Sequence, residues 1–201
     1  MRRVVVLALL ALALPIAAWA DTIDITNRFG AISLSDSGLS ANSQMGSYNN
    51  ILASKGHSLG YVNFGTGAFS GASLKGNGTF SAAGSWFDIS GRGGAGQPKG
   101  TIFSGAFVGP IDWTLTSPPG NGGKLTFTLT GDIRGMLYNG HEASGTTTQY
   151  FYSTNYQLSK GILHLSSGNT RLSTSPEPGT LGLLGTGLVG IAGVFRRRKT
   201  A

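Results

Sequence analysis

Residues 124–130 read Lys-Leu-Thr-Phe-Thr-Leu-Thr, and their alternation decides the fold class. Leu125, Phe127 and Leu129 share one face, and Thr126, Thr128 and Thr130 share the other. A period of two is that of a strand with one buried face, whereas a helix would repeat its apolar positions every three or four residues. Working outward, Ile111-Asp-Trp-Thr-Leu-Thr116 repeats the pattern. Further strands are predicted at 23–26, 31–35, 59–64, 86–90, 101–108, 146–152 and 161–165. Between them lie segments with turn chemistry: Gly91-Arg-Gly-Gly-Ala-Gly-Gln-Pro98, Ser117-Pro-Pro-Gly-Asn-Gly-Gly123 and Tyr138-Asn-Gly140. Glycine supplies positive φ, proline presets a turn, and Asn-Gly tolerates the left-handed region. Many short strands joined this way predict an all-β body, an antiparallel β-sandwich or jelly roll. The 33 glycines alone would suit a disordered chain, but the regular aromatic and aliphatic alternation argues for a packed one.

Composition narrows the function classes. The formal charge of +7 would suggest nucleic acid or acidic lipid as a partner, yet it is concentrated at the two ends. From Asp21 to Ser175 there are nine cations against seven anions, scattered along the chain, so no nucleic-acid-binding surface is expected. These 155 residues suffice for one domain with a real core. With no cysteine, neither disulfides nor thiolate metal sites nor a cysteine nucleophile can contribute.

The N-terminal residues read as an export signal. Arg2 and Arg3 are followed by an unbroken apolar stretch, Val4 to Ala13, and then by Pro15 and Ala18-Trp19-Ala20. That order of positive, apolar and small-residue regions predicts cleavage by signal peptidase between Ala20 and Asp21, because an apolar core of about 15 residues is short of the roughly 20 that span hydrocarbon. The expected organisation is a signal peptide at 1–20, a β-rich exported domain at 21–175 and a separate tail at 176–201.

The tail begins Pro176-Glu177-Pro178, continues through an apolar run from Gly179 to Phe195, and closes with Arg196-Arg197-Arg198-Lys199. As a helix, 17 residues extend about 25 Å against a hydrocarbon core of about 30 Å, a short single transmembrane span. Its basic cluster would stay on the cytoplasmic side and leave the body outside. Tripeptide, short apolar span and basic tail together resemble the PEP-CTERM sorting signal of Gram-negative bacteria. The resemblance implies recognition by exosortase, a membrane protease-transpeptidase, through an inner-membrane intermediate, and final residence at the cell surface or in an exopolysaccharide matrix. It covers the tail only. Some proteins with this signal are catalogued as ice-binding, and the Thr126, Thr128, Thr130 ladder is similar to the T-x-T rows of ice-binding solenoids.

Within the body, chemical motifs are sparse. Gly91-Arg-Gly93-Gly-Ala-Gly96 satisfies G-x-G-x-x-G, but Pro98 follows where a dinucleotide site needs a helix to begin. His57, His141 and His164 lie far apart in sequence without metal-ligand spacing, and no cofactor or metal is expected. His141-Glu142 is the one adjacent acid–base pair, in a turn. Trp86, Trp113, Tyr150 and Tyr152, with Tyr156, are candidate sugar-stacking rings, since an aromatic face offers flat apolar area beside a polar edge. The expectation is therefore a non-enzymatic surface or matrix protein associated with exopolysaccharide. The alternatives are a carbohydrate-binding module with an exposed aromatic platform, an ice-binding protein or a secreted hydrolase.

Overall fold

The computed structural model describes residues 22–94, 96–117 and 124–174. The export signal expected at 1–20 and the sorting tail at 176–201, including its apolar span, lie outside these residues.

Eleven strands form in chain order: β1 (Thr22–Ser35), β2 (Gly38–Tyr48), β3 (Ile51–Leu52), β4 (Gly60–Gly65), β5 (Phe69–Gly71), β6 (Gly78–Phe80), β7 (Trp86–Gly94), β8 (Gln97–Ser117), β9 (Lys124–Leu137), β10 (Glu142–Thr154) and β11 (His164–Thr174). The one described helix, α1 (Asn155–Leu158), is a single turn capped by the Thr154 hydroxyl, which accepts from the Gln157 amide at 3.2 Å. The all-β expectation is met, but the sandwich or jelly-roll arrangement is not. Strands β1, β2, β4, β7, β8, β9, β10 and β11 pair antiparallel in that order, and β11 returns to β1, closing an eight-stranded up-and-down barrel. The outer strands are β3, on β2, and the β5–β6 hairpin, on the far part of β8.

Closure runs through six paired positions, from Thr22 opposite Ser173 to Asn27 opposite Gly168. A sandwich and a barrel require the same period-two pattern. They differ only in whether the terminal strands find each other, which no local pattern encodes.

Inside, the eight-stranded circumference is filled by side chains, as this strand number allows. Leu125, Phe127 and Leu129 are buried, as their alternation predicts, and the threonines between them are half-exposed. Phe64 stacks on Phe87 at 5.6 Å between centroids, and Phe107 meets Phe87 edge-on at the same separation. Farther along β8, Trp113 stacks on Phe127 at 4.5 Å and donates its Nε1–H to the Leu74 carbonyl at 3.1 Å, tying the β5–β6 loop to the core.

One stretch of the interior is polar and fully bonded. A bulge in β1 around Arg28 to Gly30, with Phe29 at φ 51°, separates Asn27 from the next inward positions. The Asn27 carboxamide donates to Ser43 Oγ and to Gln149 Oε1, both at 2.8 Å, and accepts from Gln149 Nε2 at 3.3 Å. The Ser43 hydroxyl donates a hydrogen bond to the Val62 carbonyl at 2.8 Å. Gln149 also donates to Thr147 Oγ1, which is within 2.9 Å of Thr170 Oγ1. Buried polar groups are tolerated when each finds partners, and here they join β1, β2, β10 and β11 across the seam where the barrel closes.

The outward face is hydrophilic. On β9 and β10 the outward positions are mostly polar, Thr126, Thr128, Thr130, Asp132, Arg134, Ser144, Thr146 and Thr148, with Met136, Tyr150 and Tyr152 among them and the other large apolar residues turned in. A lipid-embedded barrel needs the inverse alternation. Among the described residues no helix is long and apolar enough to cross a membrane.

Candidate functional site

With the interior occupied, the outer wall is where the candidate residues must be assessed, and it disperses them. Trp113 is 1% exposed and belongs to the core, its ring enclosed by Phe80, Phe127 and Phe151. It is not an exposed ring. Tyr152 points outward, but His164 stacks on it at 5.1 Å and the Lys124 ammonium lies 4.5 Å from its centroid. Tyr150, 47% exposed, lies on β10 beside a groove lined by Thr116, Lys124, Thr126 and Tyr152. Tyr156 is exposed on α1 beneath Lys160. Trp86, on β7, is 38% exposed and stands apart from all of these around the barrel. The aromatic residues therefore form no single platform.

The histidines are separated by the fold as they are by the sequence. His57 is in the turn after β3, His141 in the β9–β10 turn, and His164 against Tyr152. Glu142 beside His141 is engaged elsewhere, accepting from the Arg134 guanidinium at 2.8 Å. That hydrogen bond, and then the charge behind it, raises the already high pKa of Arg134. No group of three or more His, Asp or Glu capable of holding a metal ion is present among the described residues. The glycine-rich 91–96 segment belongs to the β7–β8 hairpin, in which Arg92 pairs with Lys99. Gly93, Gly94 and Gly96 take positive φ there, which accounts for the glycines without a cofactor.

The threonine ladder is broader than one strand. Thr114 sits opposite Thr128, and Thr148 opposite Thr130. The rows are broken by Asp112, opposite Thr130, and Tyr150, opposite Thr128, on a wall that curves around the barrel.

The feature that sequence reading missed is a grid on β2, β4 and β7. Asn42, Asn63 and Asp88 are register partners on three adjacent strands, and Ser40, Gly65 and Trp86 form the next outward row. All of these but Gly65, with Ala41 and with Ala31 to Ser33 of β1, line an open groove of about 550 Å³. Trp86 lies over Gly65 so closely that a Cβ there would stand 2.4 Å from the indole Nε1. Only glycine lets the ring settle onto the neighbouring strand. Asn63 Oδ1 is buried without a hydrogen-bond partner, one of two such side-chain atoms among the described residues, with Gln97 Oε1. The missed signal was register. Asn42, Asn63 and Asp88 are distant in sequence and become a row only when three strands align.

Comparison with known proteins bears on the tail. Residues 176–199 match the family model of the PEP-CTERM protein-sorting motif. The chain carries a PEP-CTERM sorting signal. The match takes in Pro176, Glu177, Pro178 and the Arg196, Arg197, Arg198, Lys199 cluster, and it implies an exported protein sorted through the membrane and processed there by exosortase, a membrane protease. No curated protein and no solved structure matches the chain.

Proposed function

We propose that this PEP-CTERM protein is a non-enzymatic component of the cell surface or extracellular matrix, whose barrel acts through its outer wall in contact with exopolysaccharide. The sorting signal carries the reading, since it puts the barrel on an export route that ends outside the inner membrane. Support comes from the interior, which is packed with aromatic and aliphatic side chains and holds the hydrogen-bonded Asn27–Gln149 pair, so recognition falls to the wall. A hydrolase reading has weaker footing, because Glu142 is held by Arg134 and the three histidines occupy separate elements. Aromatic stacking of about 1 kcal/mol per ring gives weak affinity for one domain, so many copies in a matrix would bind through multivalency.

The test is co-retention. Full-length protein expressed in its native host is expected to remain with the exopolysaccharide fraction of washed cells, and to move to the medium when that polysaccharide is enzymatically removed. Unchanged cell retention after its removal would oppose the reading.

A further inference from the structure

We propose that the groove on β2, β4 and β7 is a binding site for one or two residues of a neutral pyranose polysaccharide, with Trp86 as the stacking ring and Asn42, Asn63 and Asp88 as the hydroxyl-recognising row. The proposal deepens the exopolysaccharide reading by assigning it a site and a ligand class.

The grid is the first ground. Adjacent strands lie about 4.8 Å apart, so a row with one polar side chain per strand offers hydrogen-bonding groups at intervals close to the length of a sugar ring. Asn42, Asn63 and Asp88 occupy three successive strands at one level of the wall, and Trp86 is on the next outward level of the same strand as Asp88. An aromatic ring beside a carboxylate and two carboxamides matches a pyranose, which has apolar C–H faces and a rim of hydroxyls.

The second ground is that these groups are uncommitted, unlike the buried carboxamides of Asn27 and Gln149. Inside the barrel Asn27 and Gln149 bond each other and their neighbours. In the groove, the side chains of Asn42, Asp88 and Trp86 enter no hydrogen bond with the other described residues, and neither does that of Asn63. Asn63 turns its Oδ1 into the wall unpartnered, so its NH₂ group is the end left to face the groove. Its register partner Asp88 brings an acceptor alongside this donor. Two neighbouring hydroxyls of one sugar can satisfy both, accepting from Asn63 and donating to Asp88.

The third ground sets the ligand's charge. Asp88 is the one charged residue lining the groove. The nearest cation on the same strand face, Arg92, is occupied with the Tyr61 hydroxyl at 2.6 Å and lies over its ring. A uronate or sulfate polymer would bring its charge against an uncompensated carboxylate, whereas a neutral chain would not. Trp86 is held in place by Gly65 beneath it, so little ring freedom is lost on binding.

The experiment uses the full-length chain in a detergent without a sugar headgroup, with galactomannan and dextran as neutral probes and alginate as the anionic one. Binding is followed by tryptophan emission and by the indole N–H resonances of Trp86 and Trp113. At least one neutral polymer is expected to shift the Trp86 signal while leaving buried Trp113 unmoved. Trp86→Ala and Asp88→Ala are each expected to weaken binding at least tenfold, with an unchanged Trp113 resonance reporting an intact barrel. Asp88→Asn, which removes the charge and keeps a polar group, should narrow the preference for neutral polymers over alginate. Neutral binding that survives both alanine variants would overturn the site while leaving exopolysaccharide contact standing. Preference of the wild type for alginate would overturn the ligand class, and no binding to any of the three would remove the site.

Discussion

At the scale of single residues, the barrel depends on one glycine. Gly168 faces Asn27 across the closing seam, and a Cβ there would come within 1.9 Å of Gln149 Oε1 and 2.4 Å of Asn27 Oδ1. A methyl group at this point must push apart the two carboxamides that link β1 to β10 over the intervening strand. Leaving a buried amide unpaired costs about 1–3 kcal/mol, so Gly168→Ala and Asn27→Ala are each expected to destabilise the barrel by at least about 2 kcal/mol in urea unfolding. Removing both polar partners should be milder than removing one, and Asn27→Leu with Gln149→Leu is expected to lose less than Asn27→Ala alone. Equal or greater loss in the double variant would show that the pair is not the unit. None of this was legible in advance, because residues 27, 149 and 168 have no local pattern in common. Trp86 and Trp113 make the same point. Both sit in alternating strands, and only register and closure reveal that one ring faces water and the other Phe127.

At the scale of elements, sequence reading succeeded where one strand face is strongly apolar and failed where the inner face is small or polar. β9 and β10 were legible from Leu125, Phe127, Leu129 and Phe151. β2 escaped, because its inward residues, Leu39, Ala41, Ser43 and Met45, include a serine and an alanine and give little contrast with Ser40, Asn42 and Gln44 outside. Two predicted strands, 101–108 and 111–116, are one element, since β8 continues through Gly109 and Pro110. A straight strand of that length would extend about 70 Å, well beyond a small barrel. The register with β9 slips between Val108 and Asp112, and past that point β8 pairs with β6 instead of β7. Gly109 adopts φ 80°, where a β-branched side chain is disfavoured by about 1–2 kcal/mol. Gly109→Val is therefore expected to disturb the far half of β8 first. Hydrogen exchange should quicken at Thr79 and Phe80, which pair with Asp112 and Ile111, before it does at Phe64 or Phe87 in the barrel. Uniform quickening across the barrel would mean that the bend is integral to closure.

At the scale of the whole molecule, the tail's chemistry and the barrel's wall make compatible demands. The wall carries threonine, serine and aspartate outward on β9 and β10, so it is built for water once the chain has crossed a membrane. The expected N-terminal signal would start the crossing, and the sorting signal, on the exosortase reading, supplies a temporary hold, because its apolar run ends in four cations that resist translocation. Pro176, Glu177 and Pro178 precede the apolar run, with Glu177 as a single charge outside it. On the exosortase reading, release of the barrel would follow from a cut near this tripeptide. Intact-mass measurement of protein recovered from the native cell surface is expected to show loss of everything before Asp21 and of the Arg196 to Lys199 cluster. Replacing Pro176, Glu177 and Pro178 by alanine should leave the barrel folded and exported but hold it in the inner-membrane fraction, with the basic cluster still present in its mass. Recovery of the wild-type surface protein with an intact tail would show that the apolar run acts as a permanent anchor. Release of the alanine variant at the normal rate would show that the tripeptide is not what the protease reads.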